Sequence, residues 1–420
     1  MFLYINWDGF SRHWYEKART VGAGTPNLDR MIALGASLEN HYCGIPAITN
    51  PMQQTLVSGA WPEKTGNCYA YFDKNTKKVV MTGRLNLCES IAEAALRRGL
   101  SCASVHGWYF ENRGCVPGDA SNPYIQNSLP NFETRVELLL SYLEGEAVPS
   151  GDVLVTIQKR PNFLSIYADD IDTVCHNGER LPYPQLQRAK TLDQWYENLV
   201  YTVQRMDKAL GKLLELPDTT FALAADHGGM PYATAAFGVS REEARVPRGA
   251  ELMEAIRSAG LDAYLLKSMH DTVPADAQAL VMLMGTQAQL YYLQAPDAEI
   301  RKRVLKSIRS LAFIDRCLDE QQQQAYGSWK GFCDVYAVSR SPYFLGGVEV
   351  NEFLGGSHAG MEESIMHVFC AFYGKGIEQG LRVTHRTTLP QFAPTVCRLL
   401  SIDGPADAKG LILNEILEEK

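Results

Sequence analysis

No stretch of this 420-residue chain approaches the run of about 18 apolar residues that a membrane-spanning helix needs. No membrane partner is therefore expected. Positive charge is also short: 40 Lys and Arg against 48 Asp and Glu leave a net charge of −8. That balance argues against a nucleic-acid polymer or an anionic lipid surface as partner. Closely spaced cysteines are missing too. All ten stand singly with no CxxC spacing, so neither a zinc ribbon nor a redox pair is expected. Cys370 lies in the apolar run MHVFCAFYG, where a free thiol behaves as a small hydrophobe. A reducing, cytoplasmic setting is the expectation. Met1 leads straight into FLYI and a candidate ligand at Asp8, which leaves no room for a signal peptide.

What the chain does have is an alternation of strand-like and helix-like stretches. Phe2–Ile5, Ser101–Val105, Asn162–Tyr167 and Thr219–Ala225 are short apolar runs that read as strands. Between them, Thr25–Ala36, the stretch opened by Pro51, Asn86–Arg98, Glu133–Glu144 and Leu192–Leu216 carry helical spacing. Such alternation predicts an α/β fold with a mostly parallel central sheet covered on both faces. The texture changes after about Tyr232, where charged helical segments and two short strands precede the polar run DEQQQQAYG. Residues 233–333 are expected to form a smaller α+β cap insertion. Residues 1–232 and 334–420 would form the core, which resumes with a strand at Asp334–Val338 and closes with a helix around Leu389–Leu400.

Against this framework stand four groups of metal-favouring residues. Asp8 and the pair Asp226-His227 each follow an apolar run, at the strand ends where a parallel sheet presents ligands. Asp172 and His176 are four apart, so one helical turn puts both on one face. His358 lies in GGSHAG. An Asp/His mixture suits Zn²⁺, and Mn²⁺ also fits. Two such ions roughly 4 Å apart clamp the attacking and leaving oxygens of a displacement at phosphorus. Thr49, in PAITNPMQQTLVSG, offers a hydroxyl at a helix start. Each signal alone has an ordinary explanation. A strand-end Asp is a turn residue more often than a ligand, and Thr49-Asn50-Pro51 could simply cap a helix.

The order of all these segments resembles the type I phosphodiesterase/nucleotide pyrophosphatase family of the alkaline phosphatase superfamily. TPNLDRMIALGA, PAITNPMQQTLVSGAWPEKTGN, LSIYADDIDTVCH, ALAADHGGM and GGSHAGMEESIMHVFCAFYGKGI follow one another in the family's order, and LPQFAPTVCRLLSI matches its final helix. The resemblance implies an alkaline-phosphatase-like three-layer sandwich and two divalent metal ions. Asp172, His176 and His358 would hold one ion, and Asp8, Asp226 and His227 the other. Thr49 would attack phosphorus to give a phosphothreonine intermediate that water then hydrolyses, with the helix start stabilising phosphoryl oxygens. The substrate would be a small-molecule phosphoester, most simply a phosphodiester. Hydrolysis of a phosphonate C–P bond or of a phosphomonoester is the alternative on the same metal core.

Two departures stand out. Where the family has an aromatic residue after the nucleophile, this chain has Asn50. The Asn that the family places after its PExxG turn, to hold a phosphoryl oxygen, has its nearest counterpart in Asn67. Arg12 and His106, which follow strands, are candidates to meet a substrate anion. Trp108 and Tyr109 are candidates to pack on its apolar part.

Overall fold

The computed structural model describes residues 1–128, 131–346 and 355–418. Its main sheet has eight strands in the order Leu381–Val383, Ala36–Leu38, Cys370–Gly374, Thr220–Ala224, Phe2–Trp7, Phe163–Ala168, Cys102–Val105 and Tyr124–Ile125. Strand Phe2–Trp7 is central and parallel to both neighbours, and the pairing continues parallel out to Tyr124–Ile125. Only Cys370–Gly374 runs antiparallel to its two neighbours, so the expected mostly parallel sheet is present in mixed form.

The central strand explains the layers. All six residues of FLYINW are buried, so both faces must be covered. Trp7 packs its ring 5.4 Å from Phe132, which opens the helix Phe132–Glu144. Tyr4 points the other way, 4.8 Å from Phe392 at the start of helix Phe392–Leu399. Asn6 shares the face of Tyr4, as the two-residue period of a strand requires. It exchanges two hydrogen bonds with Gln53: Asn6 Nδ2 donates to Gln53 Oε1 at 2.8 Å, and Gln53 Nε2 donates to Asn6 Oδ1 at 2.9 Å. Both side chains have zero exposure. Gln53 belongs to helix Thr49–Ser58, so this amide pair ties the helix carrying Thr49 to the strand that ends beside Asp8.

A second sheet has five strands in the order Ala263–Leu265, Ala279–Met284, Gln287–Tyr292, Val335–Ser339 and Ile314–Asp319. The strand expected to mark the chain's return to the core is therefore a member of the smaller sheet. Alternation accounts for this. Val335 and Ala337 join a local core with Leu252, Ile256 and Val304, whereas Tyr336 and Val338 face the main core. A strand apolar on both faces satisfies either sheet, and only the tertiary pairing with Gln287–Tyr292 decides. The hairpin between Ala279–Met284 and Gln287–Tyr292 bends over the carboxyl ends of the main strands. It is fixed there where Thr286 Oγ1 donates to the His358 carbonyl at 3.1 Å.

Among the described residues no helix is long and apolar enough to cross a membrane. All ten cysteines are buried and unpaired.

Candidate metal centre

The central strand and its two parallel neighbours end level with one another, with Asn6 beside Ala224 and Trp7 beside Ala168. Asp8 follows the first and Asp226 the second, which places two carboxylates side by side at one sheet edge. The chain must then turn sharply. Gly9 does so at φ +75°, and a Cβ there would lie 3.1 Å from the Asp172 Cα, so a side chain would be strained by backbone conformation and crowded against Asp172. Its N–H donates to Asp226 Oδ1 at 3.2 Å. The third strand leads into helix Asp170–Cys175, and His176 caps that helix with its N–H on the Asp172 carbonyl.

Ligand atoms of Asp8, Asp226 and His227 lie within 4.8 Å of one another, as do those of Asp172, His227 and His358. His227 stands between the two groups. Its Nε2 is 3.4 Å from Asp8 Oδ1, 3.4 Å from Asp226 Oδ2 and 3.1 Å from Thr49 Oγ1. Its Nδ1 sits 3.0 Å from the Gly228 carbonyl, so a proton held there leaves the Nε2 lone pair directed at the cluster. His176 Nε2 is 3.4 Å from Asp172 Oδ1, and the His176 ring centroid lies 5.1 Å from that of His358. With its side chain 40% exposed, His176 forms the open rim.

The electrostatics ask for a cation. Burial, followed by the charges of Asp226 and Asp172, pushes the Asp8 carboxyl well above the usual carboxylate range. Burial also raises Asp226. Asp8 Oδ1 and Asp226 Oδ2 are both buried without a hydrogen-bond partner. Such orphaned acceptors in a low-dielectric site are costly unless an ion takes them. Asp172 differs: burial is the largest single influence and raises it, but His176, His358 and His227 together hold it below its ordinary value. The donor set thus fits divalent ions of the Zn²⁺ type.

Thr49 opens the helix Thr49–Ser58, and Pro51 contributes no N–H to its first turn. The N–H groups of Thr49 and Asn50 therefore face outward from a positive helix end. A cleft of about 620 Å³ opens here. Its lining includes Thr49, Asn50, Trp108, His176 and His358 from the sites expected.

Four expected pocket residues are placed elsewhere. Asn67 is fully buried with its amide committed: Nδ2 donates to the carbonyls of Gly83 and Leu85, and Oδ1 accepts from the Tyr69 N–H and Thr82 hydroxyl. It has no capacity left for a phosphoryl oxygen. Arg12 is held by Glu16 and Glu39, at 2.9 Å and 3.0 Å, and lies outside the cleft. His106 turns inward at φ +59° to Asn127, and burial lowers its pKa to about 4. Tyr109 is buried against Trp108, Phe110 and Tyr167.

Other residues take the vacated places. Tyr167 lines the cleft and donates its hydroxyl to Asp8 Oδ2. Tyr69 lines it at φ +72°, an unusual value for an aromatic residue that sequence spacing does not announce. Arg84, Thr286 and Gln287 complete its polar wall. They lie outside the motif blocks, Gln287 at the start of the strand Gln287–Tyr292, and so carried no signal in sequence.

Residues 2–283 match the model of the type I phosphodiesterase / nucleotide pyrophosphatase family. An ectonucleotide pyrophosphatase/phosphodiesterase of Caenorhabditis elegans is 23% identical over 234 residues, 53% of this chain and 25% of that protein. Family member 3 of Rattus norvegicus is 23% identical over 228 residues, 51% of this chain and 22% of that protein. The match thus spans about a quarter of the length of these curated relatives. Among solved structures, murine ectonucleotide pyrophosphatase/phosphodiesterase 5 aligns with a TM-score of 0.64 at 14% identity, covering 99% of both chains. The human counterpart gives 0.63 at 16%, again over 99% of both. An inactive murine variant in complex with AMP also aligns, at 0.64. At this identity the structures show the alkaline-phosphatase-like α/β fold. With its model matched over more than half the sequence, the chain belongs to the type I phosphodiesterase / nucleotide pyrophosphatase family.

Proposed function

We propose that this protein is a two-metal phosphodiesterase that attacks phosphorus with Thr49. The observation that carries the reading is the position of the Thr49 hydroxyl, 3.1 Å from His227 Nε2 and at the positive end of a helix. Asp8, Asp226 and His227 would hold one ion. Asp172 and His358 would hold the other, with His176 completing it at the rim. Bound there, divalent ions would acidify the hydroxyl and neutralise charge on the phosphoryl oxygens, Zn²⁺ suiting the donors best and Mn²⁺ also fitting.

The chain's own groups do the rest. Thr49 loses its proton to solvent, and Oγ1 forms a bond to phosphorus as the bond to the leaving oxygen breaks, that oxygen taking a proton from solvent to depart as the alcohol. The phosphothreonine is then attacked by water, the P–Oγ1 bond breaks, and the hydroxyl regains its proton. The N–H groups of Thr49 and Asn50 stabilise charge on the phosphoryl oxygens throughout. Asn6 and Gln53 keep the nucleophile helix in register with Asp8. The cleft has the volume of a small-molecule site, about 620 Å³, which supports a diester with room for its second substituent. Ten buried, unpaired cysteines support a reducing compartment such as the cytoplasm.

The test is Thr49→Ala in metal-loaded protein, assayed on bis(4-nitrophenyl) phosphate with metal content measured in parallel. Hydrolysis should fall by roughly a thousandfold or more while bound metal stays unchanged. Full activity in that variant would remove Thr49 from the mechanism.

A further inference from the structure

The cleft wall carries a charged group that the proposed mechanism does not use. Arg84 is the one permanently cationic side chain among the described residues lining the cleft. Its backbone is held unusually firmly for a loop. Asn50 Nδ2 donates to the Gly83 carbonyl at 2.9 Å, and Gln54 Nε2 donates to the Arg84 carbonyl at 3.2 Å. Asn67 Nδ2 reaches the carbonyls of Gly83 at 3.0 Å and Leu85 at 2.8 Å. Three amide side chains, two of them from the nucleophile helix, thus converge on residues 83–85. Both departures from the family pattern, Asn50 and Asn67, serve this platform.

The guanidinium is aimed as well as anchored. Its carbon lies 5.2 Å from the centre of the Trp108 ring, and Nη1 donates to Glu111 Oε2 at 2.9 Å. Glu111 takes one nitrogen, which leaves donors on Nε and Nη2. The Arg84 side chain is 61% exposed, so the ion pair is weak and open to exchange. An arginine stacked on an aromatic face with free donors is suited to bind a carboxylate or phosphate in two parallel hydrogen bonds.

We infer that Arg84, on its Asn50–Gln54–Asn67 platform and against Trp108, selects phosphodiesters whose second substituent carries an anionic group. This rests on the function proposed above and names the substrate class of that same site. The experiment compares methyl 4-nitrophenyl phosphate with 2-carboxyethyl 4-nitrophenyl phosphate, in wild type and in Arg84→Gln. Wild type should favour the carboxylated ester in kcat/KM, and Arg84→Gln should lose roughly 10- to 100-fold on that ester alone, mainly through KM. Equal losses on both esters, or none on either, would overturn the inference while leaving the hydrolase intact. If wild type hydrolyses neither ester, the function itself fails and the inference with it. Arg84→Lys, which keeps the charge but not the fork, should recover less than half of the preference. Full recovery would overturn the two-bond geometry.

Discussion

The most informative perturbation lies beneath the metal centre, in the reciprocal amide pair between Asn6 and Gln53. Replacing Gln53 with Ala removes two hydrogen bonds of 2.8 Å and 2.9 Å at a site with no solvent exposure. Each bond contributes about 1 kcal/mol net, and stranding the Asn6 amide adds about 1–3 kcal/mol of desolvation. Asn6 keeps one neighbour, the Tyr4 hydroxyl, which limits the penalty. The expected destabilisation is therefore about 3 kcal/mol, and Asn6→Ala should cost a similar amount by the same reasoning. The double variant should cost far less than the sum, because each single change already breaks both bonds. A coupling of about 2 kcal/mol is expected. Urea unfolding monitored by tryptophan fluorescence measures all three. Gln53→Ala should also lower kcat more than it changes metal content, since it frees the Thr49 helix from the strand ending at Asp8. Additive single costs, or single costs below about 0.5 kcal/mol, would refute the claim that this pair holds the nucleophile in place.

Two further predictions concern pH. In metal-stripped protein the Asp8 carboxyl is raised, so the fold binds its proton more tightly than the unfolded chain does. Stability should therefore fall as pH rises from the ordinary carboxylate range upward, and Asp8→Asn should flatten that slope in denaturation series run with chelator. Glu39 has the opposite sign. Burial is the largest influence and raises its pKa, but the Ser37 hydroxyl, Arg12 and Arg382 together bring it below the usual value. Its contribution should be present above about pH 4.3 and be lost as pH falls through the lowered folded value. Glu39→Gln should thus cost about 1–2 kcal/mol at neutral pH and little in acid. Because Arg12 is engaged with Glu39 and Glu16 outside the cleft, KM for a diester should be unchanged in that variant.

The parts of the site legible in sequence share one property: they sit where local rules fix geometry. A carboxylate directly after a buried parallel strand lies at the ligand edge whatever surrounds it, which is why Asp8 and Asp226 could each be placed at that edge from their runs, while their grouping about one ion came from the family resemblance. Asp172 and His176 are joined by a single helical turn, and the 3.4 Å contact between them follows from that spacing. Asn67 misled because its type and its distance from PExxG suit an oxyanion donor. Which carbonyls claim its amide depends on a loop 16 to 18 residues downstream. The strand Val335–Ser339 misled in the same way, since a doubly buried run carries no mark of which sheet it joins.

Sequence alone determined the α/β class, the strand ends that carry acidic and imidazole groups, and Thr49 at a helix start, because hydrophobic period and chain reversal are local matters. Only the tertiary structure decided that His227 stands between both groups, that Arg84 rather than Arg12 faces the cleft, and that a hairpin from the smaller sheet closes over His358. These depend on contacts between segments from about thirty to more than two hundred residues apart, set by packing and by competition for hydrogen-bond partners, for which no spacing along the chain is a guide.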